Sequence, residues 1–260
     1  MKVGVIGSGH MGSSLIQGLI HSGLKPEEII ASDPDEEKLE ELKELGINVT
    51  KDNVEAMKKS SLTFLAVKPD LVTEVLRELD ASEDELIVSI AAGVPIDLLE
   101  ENTNARVIRV MPNICGKVGE MASCYTRGDS ATEEDLGLIN GILSDLGLTF
   151  EVEEKLMDSI TGLSGSGPAF AFLMIQGLKE AGIDLGLPKE MAEKMAAQTV
   201  KGSGEIVLDS NQSVEELIDA VCTPKGTTIE GVRVLEDQGV KEAFKKAVKA
   251  AVDRAKELSK

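Results

Sequence analysis

Gly7, Gly9 and Gly12 directly follow a short apolar run, Lys2–Ile6, and open an amphipathic stretch, Met11–His21. Glycines at this spacing suit a pyrophosphate. The first allows a tight turn, the second leaves bare backbone for a phosphate to approach, and the third lets a helix close onto the strand. The helix N-terminus then adds unpaired N–H groups and the positive end of its dipole. His10 and Met11 fill the positions between the last two glycines and join the candidate dinucleotide contacts. Asp33 ends the next β-like run, Ile29–Ser32. An acid there accepts hydrogen bonds from the adenosine ribose and repels a 2′-phosphate, which leans the cofactor towards NADH. Ser32-Asp33-Pro34 reads equally well as a helix start, with Asp33 as its cap.

Other candidates sit where parallel strands end, since ligands bind outside the carboxyl ends of such strands. Ala66, Val67 and Lys68 close the run Leu62–Val67, and Lys68 is expected to face the cofactor crevice, although a plain surface lysine fits its type as well. Ala91, Ala92 and Gly93 close another strand with side chains small enough to admit a nicotinamide ring, or simply to pack tightly. The segment Arg109–Asn113 ends a further strand at the same rim.

Two more motifs lie in the second half. Ser164, Gly165, Ser166 and Gly167 precede Pro168 in what reads as a flexible, hydroxyl-bearing loop entering an apolar helix. Thr223-Pro224-Lys225-Gly226-Thr227-Thr228 reads as a Gly/Thr turn opening another helix. Both are expected to present free N–H groups at a helix N-terminus, suited to a small carboxylate, though ordinary capping explains either motif alone.

The elements that must carry these residues change character along the chain. The first part alternates β-branched runs (Lys2–Ile6, Ile29–Ser32, Leu62–Val67, Leu86–Ile90, Val107–Val110) with helical stretches (Met11–His21, Pro34–Leu45, Asp70–Leu79). Such alternation implies crossover units and a parallel sheet covered by helices on both faces, an α/β domain. Two more strand-like runs, Ala122–Thr126 and Leu148–Val152, bracket a helix near Glu133–Leu146. From Glu153 only helical patterns remain: Lys155–Leu163, Pro168–Ala181, Pro188–Leu208, Val214–Val221, Thr227–Glu236 and Val240–Leu258. Pro168 and Pro188 suit first helical positions and Gly182 a helix end. The expected division is therefore a dinucleotide-binding domain over 1–152 and an all-helical domain over 153–260.

Composition narrows the chemistry. With 27 basic against 46 acidic residues, the net charge is -19 at pH 7. Binding through phosphate neutralisation is disfavoured, so neither nucleic acid nor an anionic membrane is an expected partner. An anionic cofactor must be held by local devices. Aromatic residues make up 2% and Trp is absent, so the core must be aliphatic. Three widely spaced cysteines, Cys115, Cys124 and Cys222, suggest neither zinc nor a disulfide framework. No secretory leader or apolar run of membrane length is read, and a cytoplasmic setting is expected. With only two histidines, His10 and His21, a catalytic triad or histidine metal site has almost nothing to draw on. No metal is expected.

Taken together, these motifs resemble the pyrroline-5-carboxylate reductase family, over nearly the whole chain. The likeness is most specific at Arg109–Asn113, at Thr161–Ala169, and at the spacing of Thr223, Gly226, Thr228, Gly231 and Leu235-Glu236. It implies hydride transfer from NADH or NADPH to the C=N of L-1-pyrroline-5-carboxylate, giving L-proline in the last step of proline synthesis. It also implies a Rossmann-type domain followed by an all-helical dimerisation domain, and a homodimer or higher homo-oligomer with active sites at the subunit interface. By match to the family, Thr228 contacts the ring nitrogen. Ser164–Gly167 and Gly226–Thr228 hold the carboxylate, and Asn53, Lys68 and Ala91 fall on cofactor-contacting positions, while Asn113 at the rim is a further candidate cofactor contact. Ser32 and Asp33 lie at the adenosine end.

Some residues depart from that pattern. Lys225 stands where many members have Gly, Ile114-Cys115 replaces a more usual Thr-Pro, and Met121 replaces a common Gly. Asp33 replaces a small hydroxyl residue, which reinforces the lean to NADH. A 3-hydroxyacid dehydrogenase-like enzyme is the nearest alternative, but such enzymes resemble one another in a Lys followed by Asn on the first long C-terminal helix. Pro168–Ala181 contains Lys179 and no Asn. A non-catalytic nucleotide-sensing protein on the same fold is the alternative of another class.

Overall fold

The structure, a computed structural model, describes residues 2–258. Its first part alternates strand and helix. In order these are β1 (Val3–Ile6), α1 (His10–His21), β2 (Ile29–Ser32), α2 (Glu36–Glu44), β3 (Asn48–Thr50), α3 (Asn53–Lys58), β4 (Leu62–Leu65), α4 (Val72–Leu79), β5 (Leu86–Ser89), α5 (Ile96–Glu100) and β6 (Arg106–Met111). There follow β7 (Met121–Arg127), α6 (Glu133–Asp145), β8 (Gly147–Glu151) and α7 (Met157–Ile160). The eight strands form one sheet in the order β3-β2-β1-β4-β5-β6-β7-β8. Pairing is parallel throughout except for β6 with β7, which are antiparallel.

Strand side chains alternate between two cores, as period two requires. Val3, Val5, Leu62, Phe64, Leu86, Val88, Ile108 and Val110 point into one, shared with α1 and α6. Ile6, Leu65, Ile87 and Val107 point into the other, beneath α4 and α5. Both faces are therefore buried, which explains why these strands are almost wholly apolar.

Beyond β8 the described chain is helical. A π-helical turn (Thr161–Gly165) follows α7, then α8 (Gly167–Asp184), α9 (Lys189–Asp209), α10 (Val214–Val221), α11 (Thr227–Asp237) and α12 (Val240–Leu258). The chain forms two compact units. One runs to Ser166 and also takes the chain from Ala250, and the other is Gly167–Lys249. Strands cease before residue 152, but the segment up to Ser166 packs with the first unit, where Met157 is fully buried.

Several local expectations differ from what is found. β3, α3 and α5 are too short to give a periodic signal, and β4 stops at Leu65, so Ala66–Lys68 lie beyond it in the connection. The helix after β2 starts at Glu36 with Asp35 as its cap, accepting from the Glu37 N–H at 3.1 Å; Asp33 is not the cap. Pro188 caps α9 from outside it. Gly182 does not end α8. It lets α9 approach so closely that a Cβ there would stand 3.1 Å from the Ala192 Cβ.

Asp135 anchors α6 to the sheet. Its carboxylate accepts both N–H and hydroxyl of Thr132, at 2.9 and 2.7 Å, closing a capping box. It also takes the Arg106 fork at 2.8 and 3.2 Å. Burial raises its pKa, but the Arg106 and Thr132 bonds outweigh that and leave the carboxyl below its ordinary range. A depressed carboxyl stabilises the fold above its unfolded pKa, near pH 4, and that contribution is lost as pH falls through the folded value. Asp135→Asn is therefore expected to lower stability at pH 7 by about 2–3 kcal/mol and to flatten the acid limb of the stability profile. Urea unfolding of both proteins between pH 7 and pH 3 checks this; parallel profiles would refute it.

Candidate active site

The sheet reverses its strand order at β1, which pairs with β2 on one side and β4 on the other. A crevice for a ligand opens at such a point, beyond the carboxyl ends of the strands. The glycine-rich turn lies there, and its three glycines differ physically. Gly7 has φ +94°, and a Cβ on it would fall 2.7 Å from the Ala66 carbonyl oxygen. A Cβ on Gly12 would fall 2.0 Å from the Gly7 carbonyl oxygen. Gly9 has nothing within 4 Å of where a Cβ would be. Gly9 caps α1 without any side-chain cap, and His10 and Met11 form its first positions, His10 exposed and Met11 half-buried. A bare, open backbone at the N-terminus of a helix is what a pyrophosphate needs, so the residues present fit a dinucleotide.

Asp33 closes this turn from the side. Its Oδ2 accepts the Ser8 N–H at 2.7 Å and the Ser8 hydroxyl at 2.9 Å. Its Oδ1 accepts the Asp35 N–H at 3.0 Å and lies 3.5 Å from Lys38 Nζ. Burial pushes the Asp33 carboxyl up, but the Ser8 and Asp35 hydrogen bonds and the Lys38 charge together bring it below the ordinary range, so it is ionised at neutral pH. The expected ribose acceptor is thus also the group that holds the glycine turn. Ser32 and Asn53 stand beside it: the Ser32 hydroxyl donates to Asn53 Oδ1 at 2.7 Å, and Asn53 Nδ2 donates to Glu78 at 3.0 Å. Ser8, Lys38 and Glu78 were not singled out by motif. Ser8 lay inside the glycine pattern, and the other two carried no signal.

The rest of the rim is formed by the connections after β4 and β5. Ala66 and Val67 are half-buried and Lys68 is exposed. Ala91 is buried, and Gly93 turns the chain with φ +75°. A Cβ on Gly93 would lie 2.8 Å from the Leu258 Cβ, so the end of α12 bears directly on this turn. Glu154 Oε1 accepts the first N–H of α5, from Ile96, at 3.1 Å and also pairs with Arg109. Arg109 is 2% exposed, and its Nε and second terminal nitrogen have no partner among the described residues. Sequence reasoning placed Arg109 at the rim without recognising this buried ion pair, because nothing local connects residue 109 with residue 154.

The Ser164–Gly167 segment is not the flexible loop expected. It belongs to the π-helical turn and its junction with α8, and its hydroxyls are turned onto the backbone. Ser164 Oγ donates to the Ile160 carbonyl at 3.2 Å and Ser166 Oγ to the Thr161 carbonyl at 3.1 Å. The Ser166 N–H, expected to be free, also donates to Thr161, at 2.9 Å. Single π turns inside helices are a feature of functional sites. Asn113, at the end of β6, donates from Nδ2 to the Ser164 carbonyl at 3.1 Å.

In the second unit, Gly226 is the cap of α11, with no side-chain cap bond, so Thr227 lies inside the helix and does not cap it. Thr227 and Thr228 are both exposed. A Cβ on Gly226 would collide with Thr223 Oγ1 at 2.4 Å. Lys225 has φ +63°, a left-handed conformation that favours glycine and explains why a glycine suits this position.

Among the described residues no group of acidic, cysteine or histidine side chains could hold a metal ion, and no helix is long and apolar enough to cross a membrane.

Comparison with known proteins bears on both halves. Residues 154–258 match the family model described as pyrroline-5-carboxylate reductase dimerisation. Residues 2–93 match that described as NADP oxidoreductase coenzyme F420-dependent. A pyrroline-5-carboxylate reductase of Methanosarcina acetivorans is 44% identical over 265 residues, covering 100% of this chain and 98% of the relative. One from Corynebacterium melassecola is 37% identical, covering 99% and 98%. A solved Plasmodium falciparum pyrroline carboxylate reductase with NADP bound superposes with TM-score 0.91 at 32% identity, covering 100% of this chain and 98% of that one. A Coxiella burnetii pyrroline-5-carboxylate reductase gives TM-score 0.88 at 36% identity, with the same coverage.

The geometry of the turn separates binding from folding. Gly9→Ala adds a methyl where the free chain has room, so its melting temperature should match the parent's while dinucleotide affinity falls roughly tenfold or more. Gly12→Ala must displace backbone and should lower the melting temperature by several degrees, as a loss of about 2 kcal/mol would. Calorimetry and fluorescence titration of both variants check this. Equal melting losses in the two would contradict it.

Proposed function

The chain belongs to the pyrroline-5-carboxylate reductase family, and from that premise we propose that it reduces L-1-pyrroline-5-carboxylate to L-proline, the last step of proline synthesis. The observation that carries this reading is the full-length match at 44% identity. The open backbone at Gly9 and the crowded one at Gly12 support it, as a dinucleotide turn requires.

In this reading the dinucleotide supplies a hydride to the ring C=N. The chain binds, orients and shields. Gly7–Gly12 and the N-terminus of α1 hold the pyrophosphate; Ser32, Asp33 and Asn53 receive the adenosine; Ala66–Lys68 and Ala91–Gly93 form the remaining rim. Ser164–Gly167 and Gly226–Thr228 receive the substrate carboxylate, and the Thr228 hydroxyl meets the ring nitrogen. A protonated cyclic imine accepts hydride readily, so positioning and electrostatics suffice and no histidine acid is called for. We place the enzyme in the cytoplasm, in keeping with three cysteines that are all free thiols.

For the cofactor we propose a preference for NADH. Asp33 is buried, ionised and adjacent to the glycine turn, where a 2′-phosphate would meet its charge. Initial rates with each cofactor should give a higher kcat/KM with NADH, and Asp33→Ser should move the ratio towards NADPH. A tenfold wild-type preference for NADPH, about 1.4 kcal/mol, overturns the assignment.

We propose further that the working form is at least a homodimer. Phe172, Leu173, Met174 and Leu178 on α8 are all exposed in the single chain. A surface of this kind calls for a second copy. Light scattering at assay concentration should give no active monomer; finding one defeats the proposal.

The chemistry itself is tested at Thr228. Thr228→Ala should cost roughly 10–1000-fold in kcat and leave dinucleotide affinity unchanged. Thr227→Ala, which removes no cap, should cost little in either. Near-normal turnover by Thr228→Ala shows the hydroxyl to be wrongly assigned.

A further inference from the structure

We propose that Asn113 is a positioning residue for the substrate segment Ser164–Gly167 and not a group that touches the dinucleotide. The inference rests on the substrate role assigned above to that segment. Asn113 is 6% exposed, and both ends of its carboxamide are engaged within the chain. Oδ1 accepts the Cys115 N–H at 3.0 Å, capping the short 3-10 helix Ile114–Val118. Nδ2 donates to the Ser164 carbonyl at 3.1 Å.

The second bond answers a specific deficit. In a regular α-helix the Ser164 carbonyl would accept the N–H of the residue four positions on. That residue is Pro168, which has no N–H to give. Ser164 is half-buried, and Asn113 supplies its carbonyl with a donor from outside the helix. Met111, just before it on the chain, supports the same turn: its Sδ lies 3.4 Å from where a Cβ on Gly165 would stand. Toward the other side, Asn113 and Pro112 share a small cavity with Met11 and Ser14 of α1. Asn113 therefore stands between the helix that opens at the glycine turn and the π turn that presents Ser164–Gly167. It sets the register of one against the other.

Two variants separate this role from a direct cofactor contact. Asn113→Ala removes the donor. Asn113→Asp keeps the shape and the acceptor for Cys115 but turns an oxygen towards the Ser164 carbonyl. Both should raise KM for pyrroline-5-carboxylate roughly tenfold and lower kcat. Dinucleotide Kd, titrated without substrate, should stay within about twofold of the parent's. A space-filling role would spare the Asp variant. Amide exchange at Ser166, whose N–H closes the π turn on Thr161, should quicken in both variants. The proposal is overturned if dinucleotide Kd weakens while substrate KM holds, or if Ser166 exchange and KM are both unchanged. Should the parent enzyme fail to turn over the imine at all, the assigned reaction is wrong, and the exchange measurement still decides whether Asn113 holds the turn.

Discussion

The carboxylate of Asp33 is the fixed point to which the glycine-rich turn is tied. Two oxygens at the end of β2 accept a backbone N–H and a hydroxyl from Ser8, between the first two glycines, and a further N–H from Asp35. The glycine turn is thereby tied sideways to the neighbouring strand, while Gly7 N–H also reaches the Ser32 carbonyl at 2.8 Å. With its edges fixed in this way, the turn can leave Gly9 bare and still be ordered. Crowding at Gly12 completes the arrangement, since only a residue without a Cβ lets α1 start so close to the Gly7 carbonyl. Rigid support and an open centre are what a preorganised anion site requires.

Much of this was legible because strong local rules were at work. Strands buried on both faces read as apolar runs, and the spacing of Gly7, Gly9 and Gly12 has a single economical meaning next to a strand and a helix. The missed elements are those whose information is not local. β3 and α5 are only a few residues long and are held by their neighbours. The antiparallel entry of β7 depends on the connection through Ile114–Val118, which no periodicity announces. Ser164-Gly165-Ser166-Gly167-Pro168 has a loop's composition, yet it is helical. Its hydroxyls satisfy carbonyls of the preceding turn, and a donor from Asn113, distant in sequence, replaces the N–H that Pro168 lacks.

Long-range polar contacts recur wherever the rim must hold its shape. Arg109, buried in the sheet, reaches Glu154, and Glu154 in turn holds the first N–H of α5, just past the Ala91–Gly93 turn. A buried guanidinium is costly unless paired, and here two of its nitrogens have no partner among the described residues. Burying such a pair often stabilises a fold no more than apolar packing does. What the ion pair contributes is a direct link between β6, the start of α5 and the chain leading into the π turn.

The helical unit obeys a different constraint. Its two longest helices within the unit, α8 and α9, pack on each other through small residues, with Gly182 against Ala192 and with Ala192 and Ala196 buried. Close backbone approach along one seam leaves large side chains to point elsewhere: Leu173 is 69% exposed and Leu208 67%. Removing such side chains from water is worth roughly 1.5–3 kcal/mol each. A pair of helices cannot enclose its own outer faces, whatever its sequence. Apolar faces left open in this way are suited to association. This agrees with the dimerisation model that residues 154–258 match.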